Sequence, residues 1–580
     1  MPAVLDALHA RLKDLPQKDR VCTMMFDEMS IKQHLQYNRR SDVVYGYADS
    51  GKERSPDLAH SALLVLLAGI TKVWVQPISF IFSRTSAPAD TMLQLIVSLI
   101  RQLKSLDILV KAVICDQGPN NCSMSHKLEI CPSQPFFMVD QSQVFYIFDP
   151  PHLMKTTRNL LLKHDLQIGG CEQKVQWAFI KQFYESDHPL RIRLAPKLTH
   201  NHLEPTVFER MRVKLATQVL SDSVSKGIAV LISVGQLGAE AAATSDFLLD
   251  IDTLFDTLNS SCTEQGDDRK KRYAMTASSE HTEILRGAAL RIAEWKFDGF
   301  DANRQPPTVT SWQVTINAVL GLWEDLRTNF QFEHLLTRRL NQDPLENIFG
   351  EFRRMHGSNE TPNAFQFVAS VKNTLAGRLL KLPSRGNCEA DAAKLLCELQ
   401  RIPVSTDPSA DGASQSTAES ATDSECEAPS AEEPEDLIEL TALHAYAGKL
   451  LSSFLQLSKC DKCPNLLKGS EADAPPADLL SVIEGESSAS CLPCSAFFNI
   501  YLELETIFKS NVSQLLHLHN VKQHFLQLFQ TVGFGAFCSE ECFKTFLSMF
   551  TVMRIEYEIR LQNMDVGKDK RGAKRKLTKL

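Results

Sequence analysis

The sequence lacks any long run of apolar residues. No apolar segment reaches the roughly 18 residues that a membrane-spanning helix requires, and the most apolar stretch is confined to 62–70. The N-terminus carries early charges and no cleavable small-residue site behind an apolar core, so a secretory signal is not indicated. A phosphate-binding loop of the form G-x-x-x-x-G-K-S/T is also missing. We therefore expect an intracellular protein with no membrane partner and no P-loop nucleotide site.

Basic residues are missing from one long stretch of the 580-residue chain. No lysine or arginine occurs between Ile402 and Gly448, where aspartate and glutamate are frequent. Without this stretch the net charge of −8 comes close to neutral, so the charge does not exclude a nucleic-acid partner. Residues 401–437 have too few large apolar side chains to offset the entropy of chain ordering, and we predict a disordered linker there.

Cysteine is present in an odd number, fifteen, and is scattered along the chain. This usage favours reduced thiols with one metal site over a disulfide framework. Two C-x-x-C pairs near the C-terminus predict a structural zinc site, since four thiolates satisfy tetrahedral Zn²⁺. The predicted ligands are Cys460, Cys463, Cys491 and Cys494. Competing ligands further along are Cys538, Cys542, His517, His519 and His524, and a set of buried reduced cysteines is the alternative.

Two carboxylates stand at the head of a predicted helix within 341–354. Asp343 occupies the expected N-cap position and Pro344 the first helical position. Asp343 and Glu346 are three residues apart and share one face of this helix. A simple capping box would explain the same pattern, so a functional interpretation needs further acids elsewhere in the chain.

Such acids follow two strand-like apolar runs. Asp27 follows Val21–Phe26 in sequence, and Asp116 follows Ile108–Cys115. A carboxylate at the end of a buried strand lies at the rim of a sheet, where catalytic groups are commonly found. Converging carboxylates need divalent cations to offset their repulsion, and oxygen ligands suit Mg²⁺ or Mn²⁺.

We therefore predict a catalytic, metal-binding set of Asp27, Asp116 and Glu346, with Asp343 assisting. Asp149 also follows a strand-like run and is the rival for the second acid. Asp116 is preferred because its strand directly follows a long predicted helix, whereas Asp149 is followed at once by two prolines.

Four motifs, in order, carry a resemblance to a known family. They are FDEMSIK at 26–32, CDQGPNN at 115–121, FDPPHLMK at 148–155 and DPLENIFG at 343–350. Together they resemble the P element transposase family over residues 20–380. The resemblance implies an α/β fold in which an RNase H-like catalytic domain is interrupted by a mostly helical GTP-binding insertion. It also implies a DDE-type site, transposon-end and target DNA as partners, a homo-oligomer and a nuclear location.

The resemblance also assigns a nucleotide site. The residues that stand where the family places nucleotide contacts are Lys197, Val213, Phe255, Asp256, Asn259 and Asp343. In this assignment Asp256 accepts hydrogen bonds from guanine, Phe255 packs on the base and Lys197 pairs with phosphate. Without the resemblance, Asp256 and Asn259 would be a polar pair at a helix end. Because a P-loop is missing, GTP is expected as a bound cofactor, with GTP hydrolysis as a third candidate function.

Two further functions stay open at this point. The first, and our leading hypothesis, is metal-dependent DNA cleavage and strand transfer with GTP as a bound cofactor. The second is a domesticated, transposase-derived DNA-binding or scaffold protein without cleavage activity. Members of the family commonly carry an N-terminal zinc-binding THAP module. The second hypothesis is motivated by the lack of a C-x-x-C…C-x-x-H pattern before the first strand of this sequence. We expect a fragment, a truncated copy or a chain that relies on a partner for site recognition.

Seven segments make up the predicted organisation. They are an N-terminal helix (1–20), the first part of the RNase H-like domain (21–160), the insertion (161–335), the acidic helix with closing helices (336–400), the linker (401–437), a helical, cysteine-rich C-terminal domain (438–566) and a basic tail (567–580). The tail suits nuclear import or phosphate contacts. Strands near 21–32, 42–49 and 73–84 are predicted to form an antiparallel meander.

Overall fold

The structure, a computed structural model, divides the chain into two compact units. The first unit comprises Met1–Lys32 and Ala59–Arg401, and the second comprises Gln33–Leu58 and Ile402–Leu580. Residues described are 2–169, 173–263, 271–301, 304–357, 359–375, 394–395, 435–458, 460–470 and 491–577. Nearly all of the predicted linker, 401–434, lies outside the described residues.

A mixed sheet forms the core of the first unit. Its main strands are β1 (Val21–Ser30), β2 (Ser61–Gly69), β3 (Trp74–Ser83), β4 (Leu109–Cys115), β5 (Phe136–Val139) and β6 (Ser142–Phe148). In space they are ordered β3-β2-β1-β4-β6-β5. Strand β4 is parallel to β1 and β6, and the other neighbours are antiparallel. A short strand, Lys394–Leu395, pairs with β3 in parallel. The antiparallel meander of β1, β2 and β3, followed by the parallel strands β4 and β6, agrees with the predicted RNase H-like domain, and β5 adds an antiparallel strand at the sheet edge.

The middle strand of the meander differs from the prediction. The sequence predicts it at 42–49, but the structure uses β2, the apolar run at 61–69, between β1 and β3. Every residue of β2 is buried, which explains why its sequence is continuously apolar and shows no alternation. Residues 42–49 do contain two short strands, Val43–Tyr45 and Tyr47–Asp49, which belong to the second unit.

Helices accompany the sheet of the first unit. They are Pro2–Leu12, Ala89–Ser105, Pro119–Lys127, Pro150–Leu161, Asp343–Met355 and Ala364–Leu375, with short 3₁₀ turns at Gln17–Arg20 and Thr337–Leu340. The long helix that the sequence predicts before the strand of Asp116 is confirmed as Ala89–Ser105. Helix Asp343–Met355 lies against β1. Among these helices, Pro150–Leu161 is the last before a long insertion, and Asp343–Met355 is the first α-helix after it.

The insertion is mostly helical, as predicted. Its helices are Trp177–Asp187, His200–Leu203, Val207–Arg210, Val213–Val219, Asp222–Ser233, Ala242–Leu258, His281–Ala293 and Pro307–Phe330, with a 3₁₀ turn at Ala239–Ala241. Leu166–Ile168 pairs with Lys174–Val175 and Trp295–Phe297. Met275–Thr276 pairs with His334–Leu335. These two small sheets join parts of the insertion that are far apart in sequence.

Residues 213–233 are long and apolar enough to cross a membrane, and 44% of the most apolar 18-residue window within them is buried in the protein. The structure divides this segment between helix Val213–Val219 and helix Asp222–Ser233. Several of its apolar side chains, among them Ala216, Val219 and Ile228, lie in the core of the insertion. The apolar character of this segment therefore serves packing within the domain.

The long helix Pro307–Phe330 packs on β6. Thr315 Oγ1 accepts the N–H of Phe148 and donates to its carbonyl oxygen, each at 3.0 Å. Gly321 allows close approach, because a Cβ there would lie 2.6 Å from the Phe145 ring. The end of β6, and with it the start of the next segment at Asp149, is thus fixed by a helix of the insertion.

The second unit is helical, with Glu435–Ser458, Cys463–Leu467, Ser495–Leu515, Val521–Leu528 and Glu540–Leu577, a 3₁₀ turn at Phe529–Thr531 and short strands at Gln36–Asn38, Val43–Tyr45, Tyr47–Asp49 and Arg54–Leu58. Its core is rich in buried phenylalanine. Asp42 accepts the N–H groups of Lys522 and Gln523 at 2.8 and 3.2 Å and so caps a helix 480 residues away in sequence.

Candidate active site and nucleotide cavity

The sheet brings two predicted acids onto neighbouring parallel strands. Asp27 lies on β1, and Asp116 directly follows β4. Both line a small cavity of about 100 Å³, together with Asn120 and Asn121. Burial of Asp27 and, second, the charge of Asp116 raise the pKa of Asp27 to about 7. The two carboxylates are therefore close enough to compete for ionisation, which is the arrangement that a bound cation relieves.

Hydrogen bonds hold each of these acids through one oxygen. Asp27 Oδ1 accepts the N–H of Glu28 at 2.7 Å. Asp116 Oδ1 accepts the N–H of Gly118 at 2.8 Å and the side-chain amide of Asn121 at 2.6 Å. Within the described part of the chain, the Oδ2 atoms of the two acids accept no hydrogen bond. Each acid is thus oriented by the protein and keeps one oxygen for a ligand.

Glu28, the acid next to Asp27, has a structural role. Its Oε1 accepts the N–H of Ala87 at 2.6 Å and the Ser86 hydroxyl at 3.1 Å, and its Oε2 accepts the Ser61 hydroxyl at 2.9 Å. These bonds anchor the turn that precedes helix Ala89–Ser105. Both oxygens of Glu28 are occupied, so Asp27 is the better metal-ligand candidate on β1.

Glu346, the third acid, lies in the first turn of helix Asp343–Met355. Gln342 attaches this helix to the sheet: its side-chain amide donates to the carbonyl of Phe26 at 2.8 Å, next to Asp27. The negative charge of Glu346 is one of the smaller contributions that raise the pKa of Asp27. The predicted triad of Asp27, Asp116 and Glu346 therefore lies in one region of the structure.

The helix begins one position earlier than predicted. The N-cap position belongs to Gln342, and Asp343 and Pro344 are the first two helical residues. Gln342 has a non-helical backbone (φ −88°, ψ 4°), and its N–H is bound by Asp149 Oδ1 at 2.8 Å. A long-range bond, which a local capping pattern does not include, therefore sets the start of this helix.

Asp149, the rival for the second acid, uses both of its oxygens within the protein. Oδ1 accepts the N–H of Gln342, while Oδ2 accepts the N–H of His152 at 3.0 Å and lies 2.6 Å from its Nδ1. Burial alone would lower the pKa of His152, but the Asp149 carboxylate outweighs it and raises this pKa to about 9. His152 Nε2 lies 3.6 Å from Glu346 Oε1. Asp149 thus orients His152 toward helix Asp343–Met355, the acidic helix.

A larger cavity of about 530 Å³ adjoins Glu346 and extends into the insertion. Its volume lies within the range of small-molecule sites. Predicted nucleotide contacts that line it are Lys197, Val213, Phe255, Asn259 and Asp343. The other lining residues are Pro151, Ala195, Pro196, Leu198, Lys214, Thr217, Gln218, Ser221, Ser223, Asp252 and Arg272. One cavity therefore contacts both the insertion and the acidic helix.

Asp256 is the exception among the predicted nucleotide contacts. It is 3% exposed, and it lies outside the cavity lining. Its Oδ1 accepts a hydrogen bond from Nε of Arg272 at 2.6 Å, and Arg272 does line the cavity. The carboxylate that lines the cavity on the same helix is Asp252, one turn earlier. In this structure Asp256 therefore acts on the cavity indirectly, by holding the lining residue Arg272.

No pattern in the sequence indicates the role of Asp187. This residue holds the loop 188–199, here called the Lys197 loop, which connects helices Trp177–Asp187 and His200–Leu203. Asp187, 1% exposed, accepts the N–H of Leu194 at 2.6 Å and that of Ala195 at 3.3 Å, and it pairs with Arg193 at 3.1 Å. Arg193 also donates to the carbonyl of Leu198 at 2.9 Å. A buried aspartate at a helix end gives no local signal of this role.

The predicted zinc ligands are corrected by the structure. Cys460 and Cys463 do come together, as predicted. Their partners, however, are Cys538 and Cys542, which were predicted only as competing ligands. Among the described residues, Cys491, Cys494 and the three competing histidines lie outside this four-thiol cluster. Cys494 Sγ instead contacts the carbonyl of Leu466 at 3.3 Å.

The strand order, the carboxylates on β1, after β4 and on the acidic helix, and the helical insertion define an RNase H-like domain interrupted by a second domain. Three family models match in sequence order: the TNP-like RNase H N-terminal domain at 1–129, the TNP-like GTP-binding insertion domain at 151–271 and the TNP-like RNase H C-terminal domain at 339–372. The chain therefore carries the TNP-like domain set and is a homologue of the P element transposases.

The proteins similar to the chain include two curated relatives and a solved structure. Transposable element P transposase of Drosophila melanogaster is 27% identical over 369 residues, which cover 62% of this chain and 45% of the relative. DNA transposase THAP9 of Homo sapiens is 26% identical over 394 residues, covering 64% and 42%. The solved Drosophila P element transposase strand transfer complex matches with a TM-score of 0.57 at 25% identity, covering 65% of this chain and 81% of that chain. The chain spans less than half the length of these curated relatives.

Proposed function

We propose that this chain cleaves and joins DNA ends in a metal-dependent transposition reaction and binds GTP as a cofactor. The observation that carries the proposal is that three carboxylates, from β1, the end of β4 and the acidic helix, lie in one region of a fold shared with P element transposases. Folding alone does not require like charges at these three positions, because uncompensated carboxylates repel one another.

The donor set fits Mg²⁺ or Mn²⁺. Asp27, Asp116 and Glu346 offer only carboxylate oxygens, which suit these ions, and Oδ2 of each aspartate accepts no hydrogen bond from the described residues. When bound, two such ions activate an attacking water or 3′-hydroxyl and stabilise the leaving oxygen. The protein's part is to hold the aspartates through Glu28 N–H and Asn121, and to orient Glu346 through the Asp149–His152 pair.

The cavity beside Glu346 is the proposed GTP site. Lys197, Lys214 and Arg272 line it and supply positive charge for phosphates. Phe255 offers an apolar face for the base, and Asp252 offers acceptors for the guanine N1 and N2 hydrogens. We assign Asp256 an indirect role through Arg272. Since the sequence contains no P-loop, GTP is proposed to stay bound without turnover.

The proposal includes DNA as the partner, a homo-oligomeric assembly and a nuclear location. The solved relative is a strand transfer complex, which supports DNA as the ligand of the shared fold. The basic run within 568–576 supports nuclear import. Fusion of the chain to a fluorescent protein, with and without this run, tests the location, and retention in the cytoplasm by both forms would contradict it.

A cleavage assay on transposon-end DNA with Mg²⁺ or Mn²⁺ tests the catalytic proposal. We expect Asp27→Asn, Asp116→Asn and Glu346→Gln each to reduce cleavage by at least about a hundredfold, while Asp90→Asn, an exposed acid paired with Lys127, leaves it unchanged. Wild-type chain that binds the DNA and both cofactors but never cuts would overturn the proposal in favour of the domesticated scaffold. Steady phosphate release from GTP would contradict the cofactor role.

A further inference from the structure

We propose that Cys460, Cys463, Cys538 and Cys542 bind one structural Zn²⁺ ion in the second unit. The sulfur atoms of these four residues all lie within 4.8 Å of one another. Cys538 Sγ is the common neighbour, at 3.4 Å from Cys460, 3.3 Å from Cys463 and 3.4 Å from Cys542. This site is independent of the proposed DNA chemistry, since it lies outside the catalytic unit.

The geometry favours a metal over a disulfide. A disulfide joins two sulfurs at about 2.05 Å and cannot account for one thiol with three thiol neighbours. Tetrahedral zinc with ligands at about 2.3 Å separates its sulfurs by about 3.8 Å, so the three distances to Cys538 Sγ need only a small expansion to admit the ion. Four soft thiolates select zinc over the hard cations proposed for the acidic site.

The local backbone presents these thiols in the manner of zinc sites. Cys460 and Cys463 form a C-x-x-C knuckle in which Cys463 begins the helix Cys463–Leu467. Cys542 lies in the first turn of Glu540–Leu577, and its N–H donates to the Ser539 hydroxyl at 3.3 Å. A helix start carries partial positive charge, which favours a thiolate there.

The surroundings favour a structural site. Cys463 is fully buried, and the other three thiols are partly buried at the edge of an aromatic core that includes Phe537. The ion would join the segment after Glu435–Ser458 to the start of the last long helix, across 78 residues between Cys460 and Cys538. Closing so long a loop is entropically costly, so the metal would supply part of the folding free energy of this unit.

The second C-x-x-C pair, Cys491 and Cys494, lies in a segment that is held by backbone hydrogen bonds. Gly469 donates its N–H to the carbonyl of Leu492 at 2.8 Å, and Cys494 donates its N–H to the carbonyl of Leu467 at 2.9 Å. The 491–494 segment thus pairs with the chain that follows the knuckle. This backbone pairing carries the Cys491 and Cys494 sulfurs outside the four-thiol cluster.

Metal analysis and thiol protection of the purified full-length chain test the proposal. We expect about one zinc per chain by elemental mass spectrometry, lost in Cys460→Ser and Cys538→Ser and retained in the matched variants Cys491→Ser and Cys494→Ser. Because a ligand variant may fail to fold, the wild-type chain is also alkylated before and after chelation and mapped by mass spectrometry. Chelation should expose the four proposed ligands specifically, while Cys491 and Cys494 react equally in both states.

Two results would overturn the zinc assignment. One is protection of Cys491 and Cys494 in place of Cys538 and Cys542. The other is a chain that holds no zinc as purified and, after reduction, shows no thiolate-to-metal absorption band when titrated with Co²⁺. The Co²⁺ titration reads the thiol ligands directly, so its outcome does not depend on cleavage activity or on GTP.

Discussion

The carboxylate of Asp149 accepts the backbone N–H of Gln342 at 2.8 Å, across 193 residues of sequence. Gln342 also donates to the carbonyl of Phe26 on β1. Three elements of the candidate active site, β1, the end of β6 and the acidic helix, therefore meet at one buried glutamine. The position of Glu346 relative to Asp27 depends on this junction, although neither Asp149 nor Gln342 is proposed to bind the metal.

We expect Asp149→Ala to lower the free energy of unfolding by about 1–3 kcal/mol, because Asp149 is the N-cap of helix Pro150–Leu161 and its loss leaves the buried donors of Gln342 and His152 unpaired. Binding of Mn²⁺ should weaken by up to about tenfold, because Asp149 positions Glu346 without binding the ion, whereas Asp116→Ala should abolish it. Thermal melting and calorimetric Mn²⁺ titration measure the two effects. Loss of the ion in Asp149→Ala with retention in Asp116→Ala would reverse the assignment.

The proposed guanine contact at Asp252 predicts selectivity. Adenine presents an acceptor at N1 and lacks the 2-amino group, so it would leave the carboxylate unpaired, and GTP should bind at least about tenfold more tightly than ATP. Asp252→Asn should erode this preference, and Lys197→Ala should weaken both nucleotides through the phosphates. Calorimetry with GTP and ATP measures these affinities.

Asp256→Asn is the matched comparison for Asp252→Asn on the same helix. Because Asp256 pairs with Arg272 behind the cavity wall, we expect its loss to weaken GTP and ATP by similar factors. If Asp256→Asn removed the preference for GTP while Asp252→Asn kept it, Asp256 would be the residue that reads the base. Equal or absent binding of both nucleotides to the wild-type chain would leave the insertion a structural domain.

Asp187 offers a test of how the Lys197 loop is held. Asp187→Ala removes the acceptor for Leu194 and Ala195 N–H and the partner of Arg193, so we expect nucleotide affinity to fall by about tenfold or more while Mn²⁺ binding at the acidic site persists. Exposed Asp298→Ala, which removes a surface pair with Lys174, is the control. Unchanged GTP affinity in Asp187→Ala would show that the loop is ordered without this carboxylate.

His202 predicts a pH dependence of the insertion. Its Nδ1 accepts the N–H of Thr199 at 3.1 Å, and its Nε2 lies 2.9 Å from Gln218 Oε1, an arrangement that fits the neutral ring. Burial is the main cause that lowers the pKa of His202 below its ordinary value. A lowered pKa in the folded state contributes stability that is complete above about pH 6.5 and declines as the pH falls through the lowered value.

Thermal melting of the wild-type chain and of His202→Gln between about pH 8 and pH 5 measures this contribution. We expect the melting temperature of the wild type to fall more steeply on acidification than that of the variant, which cannot titrate at this position. Parallel curves would mean that protonation of His202 is not linked to folding. A variant with the steeper fall would contradict the predicted sign.

Several features follow from the sequence because they depend on short-range patterns. Each of these patterns extends over only about a dozen residues. They are the apolar runs that precede Asp27 and Asp116, the acid-rich helix start around Asp343, and the helical periodicity in the insertion. The order of four motifs then connected these local signals to one family. These signals suffice for the fold class and for the identity of the candidate acids.

Tertiary structure decided the features that depend on distant partners. The middle strand of the meander is β2 and not 42–49, because pairing between β1 and β3 selects the segment that can be buried on both faces. Cys460 and Cys463 meet Cys538 and Cys542 because helix packing closes a loop of 78 residues, a contact that no local spacing encodes. Asp256 likewise is buried against Arg272. Local sequence determined which groups are available, and long-range packing determined which of them meet, since a side chain's partners are fixed only when the chain has closed around them.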